Sequence, residues 1–152
     1  SKVKNVHIFL PIKQKNEVST WDFIEYFWKK GISVFVPKMV QNEIKTIQLK
    51  PDTALKENAW GILEPEDDFV EDIKYDIVIT PLLYCDNNGN RVGYGKGFYD
   101  MFFSKMNHNA LKVGVSFFPP TALISDVSEL DIPLDYLVTP TEALSFISKS
   151  IK

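Results

Sequence analysis

The groups that could do chemistry are concentrated in Asp86-Asn-Asn-Gly-Asn-Arg-Val-Gly-Tyr-Gly-Lys-Gly-Phe-Tyr-Asp100. The chain has seven glycines, and Gly89, Gly93, Gly95 and Gly97 all lie in this stretch. Alternate glycines let a backbone approach a ligand closely and turn its N–H groups inward, which suits phosphate oxygens. Arg91 and Lys96 add positive charge, Arg able to fork across two oxygens and Lys acting as a mobile point charge. Asp100 falls in the first turn of the helix expected next, near enough to hold a metal that bridges phosphates. The spacing Gly93-x-Gly95-x-Gly97 is neither the dinucleotide fingerprint nor the Walker A pattern, so the kind of phosphate stays open. A plain glycine-rich turn would use the same residues.

Such a loop needs a strand before it and a helix after it. Ile77 to Thr80 reads as the strand, residues 86–97 as a polar connection, and Phe98 to about Met106 as the helix, with Val113 to Phe117 as the next strand. The unpaired N–H groups and the dipole at the helix start also favour an anion. An earlier unit has the same order. Val6 to Leu10 is a short apolar strand ended by Pro11, and Ser19 with Asp22 suggests a helix N-cap and a rough capping box. Phe23, Ile24, Phe27 and Trp28 follow at helical spacing, Gly31 ends the helix, and Ile32 to Val36 suits a strand covered on both faces. Two βαβ-like units predict one layered α/β domain over residues 1–152, with a mostly parallel sheet flanked by helices. Thr46 to Leu49 is the candidate edge strand. Residues 51–73 are expected to be irregular with short helices, and Thr141 to Ile151 to form a closing helix.

Composition narrows the partners. Seventeen basic and twenty acidic residues give a net charge of -3, which argues against a general nucleic-acid binder. Lys2, Lys4, Lys13 and Lys15 read as solvated surface or as a landing area for an anionic substrate tail. No apolar run approaches a membrane span. The one cysteine, Cys85, excludes a disulfide within the chain and fits a reducing cytoplasm. His7 and His108 match no metal-ligand spacing and read as structural or exposed. Aromatic residues form 13% of the chain, eleven of them Phe, and imply a core rich in rings.

The segment from Asp86 to Asp100 resembles the signature of the 5-formyltetrahydrofolate cyclo-ligases, also called methenyltetrahydrofolate synthetases. Weaker similarities extend along the chain: Ile8-Phe-Leu10 with Glu17, Gly31 to Lys38, Trp60-Gly-Ile-Leu-Glu-Pro65, and Leu130-Asp-Ile-Pro-Leu-Asp135 with Val138-Thr139. The resemblance implies that ATP and 5-formyltetrahydrofolate, polyglutamylated forms included, give 5,10-methenyltetrahydrofolate, ADP and phosphate, with Mg2+. It places ATP binding on Arg91, Gly93, Tyr94, Gly95, Lys96, Gly97, Phe98 and Tyr99, with Arg91 and Lys96 in the catalytic roles. It places folate binding on Leu10, Glu17, Tyr94 and Phe98, and the metal on Asp100 and Asp131.

Read without that resemblance, Glu17 is a solvated residue before a helix, Trp60 a core plug, and Asp131 and Asp135 turn formers around Pro133. The family also carries a basic N-terminal helix that has no counterpart before Val6 in this sequence, which implies weak ATP binding by this chain. It often has Gln where this chain has Phe118-Pro119-Pro120, and His where this chain has Leu130. Two rivals stand beside the ligase: a non-catalytic nucleotide or folate module, and a sugar-phosphate or CoA-handling enzyme on a related scaffold.

Overall fold

A computed structural model describes residues 2–11, 19–59, 61, 63–82, 84–92, 97–106, 108–117, 119–120 and 132–147. Their elements are β1 (Asn5–Ile8), α1 (Trp21–Lys29), β2 (Ser33–Val40), β3 (Glu43–Leu49), β4 (Leu55–Glu57), β5 (Leu63–Pro65), β6 (Ile77–Thr80), β7 (Tyr84–Cys85), β8 (Arg91–Val92), α2 (Phe98–Lys105), β9 (Leu111–Val115), β10 (Tyr136–Val138) and β11 (Ala143–Ser145). Seven strands form one sheet in the order β11-β10-β9-β6-β1-β2-β3. The inner pairings are parallel, and β3 and β11 join the two edges antiparallel. The expected α/β sheet with helices against it is therefore present, with β3 as the expected edge.

Alternation along the strands sorts the core into two layers. Val6, Ile8, Val34, Val36 and Ile79 pack with Ile24 and Phe27 of α1. The neighbouring residues Phe35 and Val78 point the other way and pack with Tyr75, Ala110 and Phe103 of α2. Burial on both faces explains the unbroken apolar run Val34-Phe-Val36. Each buried side chain of α1 contributes roughly 1.5–3 kcal/mol relative to exposure. The Trp28 indole also donates to the Leu49 carbonyl at 3.1 Å, tying α1 to the edge strand.

Local signals place α1 well at its end and less well at its start. The Gly31 N–H bonds the Trp28 carbonyl and the Ile32 N–H the Phe27 carbonyl, a Schellman closure. At the start the cap is Thr20, not Ser19, and no side chain caps the helix. The Thr20 hydroxyl instead donates to the Phe9 carbonyl at 2.8 Å, so it pins the helix start to the end of β1. Asp22 stands in the first turn without forming a capping box.

Two expectations fail. The described part of residues 51–73 contains no helix; β4 and β5 pair there, and Val70 bridges to Thr46. That segment covers part of the exposed edge of β3, a role its backbone can fill only while extended. The expected helix from Thr141 is β11 over its described part, paired with β10. A hydrogen-bonding sheet edge outcompetes a short, isolated helix. The second strand is also longer than expected, because Gln41 and Asn42 both take positive φ and turn β2 into β3.

Gly114 of β9 leaves room for the core around it. A Cβ there would lie 2.4 Å from Leu82 Cδ2 and 2.6 Å from Leu134 Cδ1, both on buried side chains. Gly114→Ala is expected to destabilise the fold by about 1–3 kcal/mol through overpacking, measured by urea denaturation.

Candidate active site

The strand order locates the site. The chain leaves β1 for α1 and β2 on one side, and leaves β6 for α2 and β9 on the other. β1 and β6 are adjacent and parallel, with Ile8 opposite Ile79. Their carboxyl ends therefore form a topological switch point, where connections diverge to opposite faces and open a crevice for a ligand. Leu10 is buried just beyond β1, and the glycine-rich segment lies beyond β6.

The segment is built up from a stapled hairpin. β7 and β8 pair antiparallel, with Cys85 opposite Arg91. The buried Asp86 carboxylate holds their turn together: Oδ1 accepts from the Asn88 and Asn90 N–H groups at 2.8 and 3.0 Å, and Oδ2 from the Asn90 side-chain amide at 3.2 Å. Sequence reasoning gave Asp86 no role, although Asp-Asn-Asn-Gly is a turn signature whose first side chain bonds its own backbone. Gly97 then caps α2 in the left-handed conformation, φ +62°, which a side chain would strain.

Arg91 and Asp100 form an ion pair at the base of the loop. Arg91 Nη2 lies 3.0 Å from Asp100 Oδ1, and Nη1 donates to the Ile132 carbonyl. The Ile132 N–H donates to the same Asp100 oxygen at 3.0 Å. The guanidinium rests 5.3 Å above the Phe103 ring, and its side chain is only 7% exposed. Asp100 Oδ1 thus has two donors, while Oδ2 lies 3.9 Å from where a Gly97 Cβ would stand, toward the start of α2. One oxygen of a carboxylate that is 22% exposed fits what Mg2+ asks of a protein, since that ion is usually held by one or two carboxylates together with phosphates and water.

Of the residues singled out from the sequence, the structure brings Arg91, Gly97, Phe98, Tyr99 and Asp100 together at the loop base and α2. Tyr99 packs toward the Phe103 layer rather than away from the protein. Leu10 belongs to the core cluster under α1. Glu17, Trp60, Gly93, Tyr94, Gly95, Lys96 and Asp131 lie outside the described residues. Asp135 accepts the Lys112 N–H at 2.8 Å, and its other neighbour is the Lys112 ammonium at 3.8 Å, a structural pairing at the start of β9. Burial, then the Asp86 charge, push the Cys85 thiol up to about 12, which makes it a poor nucleophile. Among the described residues no helix is long and apolar enough to cross a membrane.

An open, mostly parallel sheet with helices packed on both faces and a crevice at a switch point defines a doubly wound type of α/β protein. Within that class the chain belongs to the 5-formyltetrahydrofolate cyclo-ligase family, whose model matches residues 1–140. It is 30% identical over 146 residues to the 5-formyltetrahydrofolate cyclo-ligase of Haemophilus influenzae, covering 90% of this chain and 76% of that one. It is 32% identical over 134 residues to the enzyme of that name from Escherichia coli strain K12, covering 83% and 73%. The solution structure of Aquifex aeolicus 5,10-methenyltetrahydrofolate synthetase superposes with a TM-score of 0.78 at 30% identity, covering 96% of this chain and 73% of that one.

Proposed function

We propose that this protein closes 5-formyltetrahydrofolate to 5,10-methenyltetrahydrofolate with ATP, releasing ADP and phosphate, as a cytoplasmic enzyme of one-carbon metabolism. The reading rests on family membership, and one structural observation supports it: β6, the sheet strand that precedes the glycine-rich segment in the chain, lies beside β1 at the switch point. Two ligands could therefore meet there, one from each connection.

The chemistry asks little of a protein nucleophile. The formyl oxygen attacks the γ-phosphorus of ATP, an O–P bond forms, and the bond to the ADP oxygen breaks. N10 then bonds to the activated carbon and loses its proton, and the C–O bond breaks to release phosphate. Phosphoryl transfer of this kind needs positioning and charge neutralisation above all. In this reading Gly93, Gly95 and Gly97 present amides and Lys96 a charge to the phosphates, with Tyr94, Phe98 and Tyr99 around the nucleotide. Leu10 and Glu17, with Tyr94 and Phe98, face the folate. Asp100 and Asp131 would hold Mg2+, which supplies charge neutralisation to the phosphates when bound.

Formation of methenyltetrahydrofolate, followed by its near-ultraviolet absorbance with and without ATP, tests this. Product without ATP would sink the ATP-dependent reading, and no product with ATP would sink it in favour of a binding module. Lys96→Ala should lower kcat/KM for ATP roughly tenfold to hundredfold, the value of one charge-assisted contact. Its folding stability should stay within about 0.5 kcal/mol of the parent. Unchanged turnover would remove Lys96 from the site.

A further inference from the structure

Arg91 looks, from the sequence, like a phosphate ligand. Its surroundings give it another task. The guanidinium closes a ring of three hydrogen bonds: Arg91 to the Asp100 carboxylate at 3.0 Å, Arg91 to the Ile132 carbonyl, and the Ile132 N–H to the same Asp100 oxygen at 3.0 Å. Three parts of the chain meet in this ring: hairpin strand β8, the first turn of α2, and the segment leading into β10. Phe103 lies under the guanidinium at 5.3 Å and fixes its plane, and little of the side chain reaches solvent. A second contact close by, from the Leu134 N–H to the Gly89 carbonyl at 2.8 Å, ties the same hairpin to the same segment.

We propose that Arg91 is a positioning residue: it holds the Asp100 carboxylate against the backbone at Ile132, and it does not itself contact the nucleotide. The proposal rests on the functional reading above, in which Asp100 is a ligand of the metal. The pairing with Arg91 also orients Asp100. One carboxylate oxygen is held by two donors, which leaves the other facing the start of α2. Partners that orient a metal ligand from behind are typically worth 10–100-fold in metal affinity.

Lysine cannot replace arginine in this role. A single ammonium carries the charge but not the planar fork that reaches a carboxylate and a carbonyl together. The positioning role therefore predicts that Arg91→Lys fails much as Arg91→Met does, whereas a phosphate ligand would be largely rescued by lysine.

The test uses two binding measurements on the whole chain, each made with the parent, Arg91→Lys and Arg91→Met. One is Mn2+ binding, read by water-proton relaxation; the other is ATP binding in EDTA, read by calorimetry. For both variants Mn2+ affinity should fall on the order of 10–100-fold, while metal-free ATP affinity should change less than about threefold. A tenfold loss of metal-free ATP affinity with Mn2+ binding intact would overturn the proposal and make Arg91 a phosphate ligand. Equal losses of both would overturn it too, as general loosening of the loop. Phe103→Leu removes the ring under the guanidinium while leaving Arg91 in place, and it is read only where circular dichroism shows the variant folded. It should weaken Mn2+ binding in the same selective way, and equal losses of both affinities there would again count against the proposal. If the parent binds ATP and Mn2+ and makes product while the variants behave otherwise than expected, only the role of Arg91 falls. A parent without those properties removes the functional reading itself.

Discussion

Lowering the pH from 7 to 3.5 is expected to remove roughly 4 kcal/mol of folding stability through one residue, His7. His7 sits in the middle of β1, between Phe35 of β2 and Val78 of β6, and is completely buried. Its ring packs 5.2 Å from Tyr75 and 4.6 Å from Phe102, and neither ring nitrogen has a hydrogen-bond partner among the described residues. Burial without a partner penalises the charged imidazolium and lowers the pKa from the usual 6.5 to about 3. Between those values the unfolded chain holds a proton that the folded chain lacks. Stability is therefore full above about pH 6.5 and is lost as pH falls toward 3, by about 1.4 kcal/mol per pH unit.

Asp76 contributes to acid loss in a different window. The Asn5 and Lys4 N–H groups hold its carboxyl below the usual range, so its contribution disappears only in stronger acid. His7→Leu isolates the histidine. Leucine has a similar volume and no polar atoms to leave unpaired, so the variant should be no less stable than the parent at pH 7. At pH 4 it should be roughly 3 kcal/mol more stable, measured by urea denaturation across pH. Superimposable pH profiles for the two proteins would show that His7 charges without penalty in the fold.

Gly89→Ala is expected to destabilise the protein by about 2–4 kcal/mol and to disable the site without touching a ligand. Gly89 has φ +85°, and a Cβ there would stand 2.7 Å from the Leu134 carbonyl oxygen and 3.0 Å from the Phe146 ring. The first obstacle is backbone, which no rotamer change relieves. Retreat is also blocked, because the Gly89 carbonyl accepts the Leu134 N–H at 2.8 Å and Gly89 bonds back to the Asp86 carbonyl. The hairpin must shift as a body, and Arg91 sits on its return strand. A displacement of about 1 Å at such a base can cost on the order of 100-fold in rate. The check is kcat/KM measured at a temperature where circular dichroism shows the variant folded. Parent-like activity in that folded variant would show that the hairpin base does not set the loop geometry.

The sequence by itself carried the local part of this protein. The glycines, Arg91, Lys96 and Asp100 were legible as one segment because they are close in the chain. The end of α1 was legible because a Schellman closure depends on residues a few positions apart. The core of β6 was legible because Ile77 to Thr80 is a compact apolar run. His7 was visible as a lone histidine, but its isolation among Tyr75 and Phe102 was not.

Tertiary structure decided the rest, through partners distant in the chain. Residues 143–145 pair as β11 because β10 offers an open edge, where periodicity alone suggested a helix. The Arg91 contact at Ile132 spans 41 residues and gives a residue that looked like a phosphate ligand its place in a ring with Asp100. Above all, the order β9-β6-β1-β2 creates the switch point. Short-range preferences fix which residues form strands, whereas strand order depends on which apolar faces can be buried together, and that is settled only when the whole sheet packs.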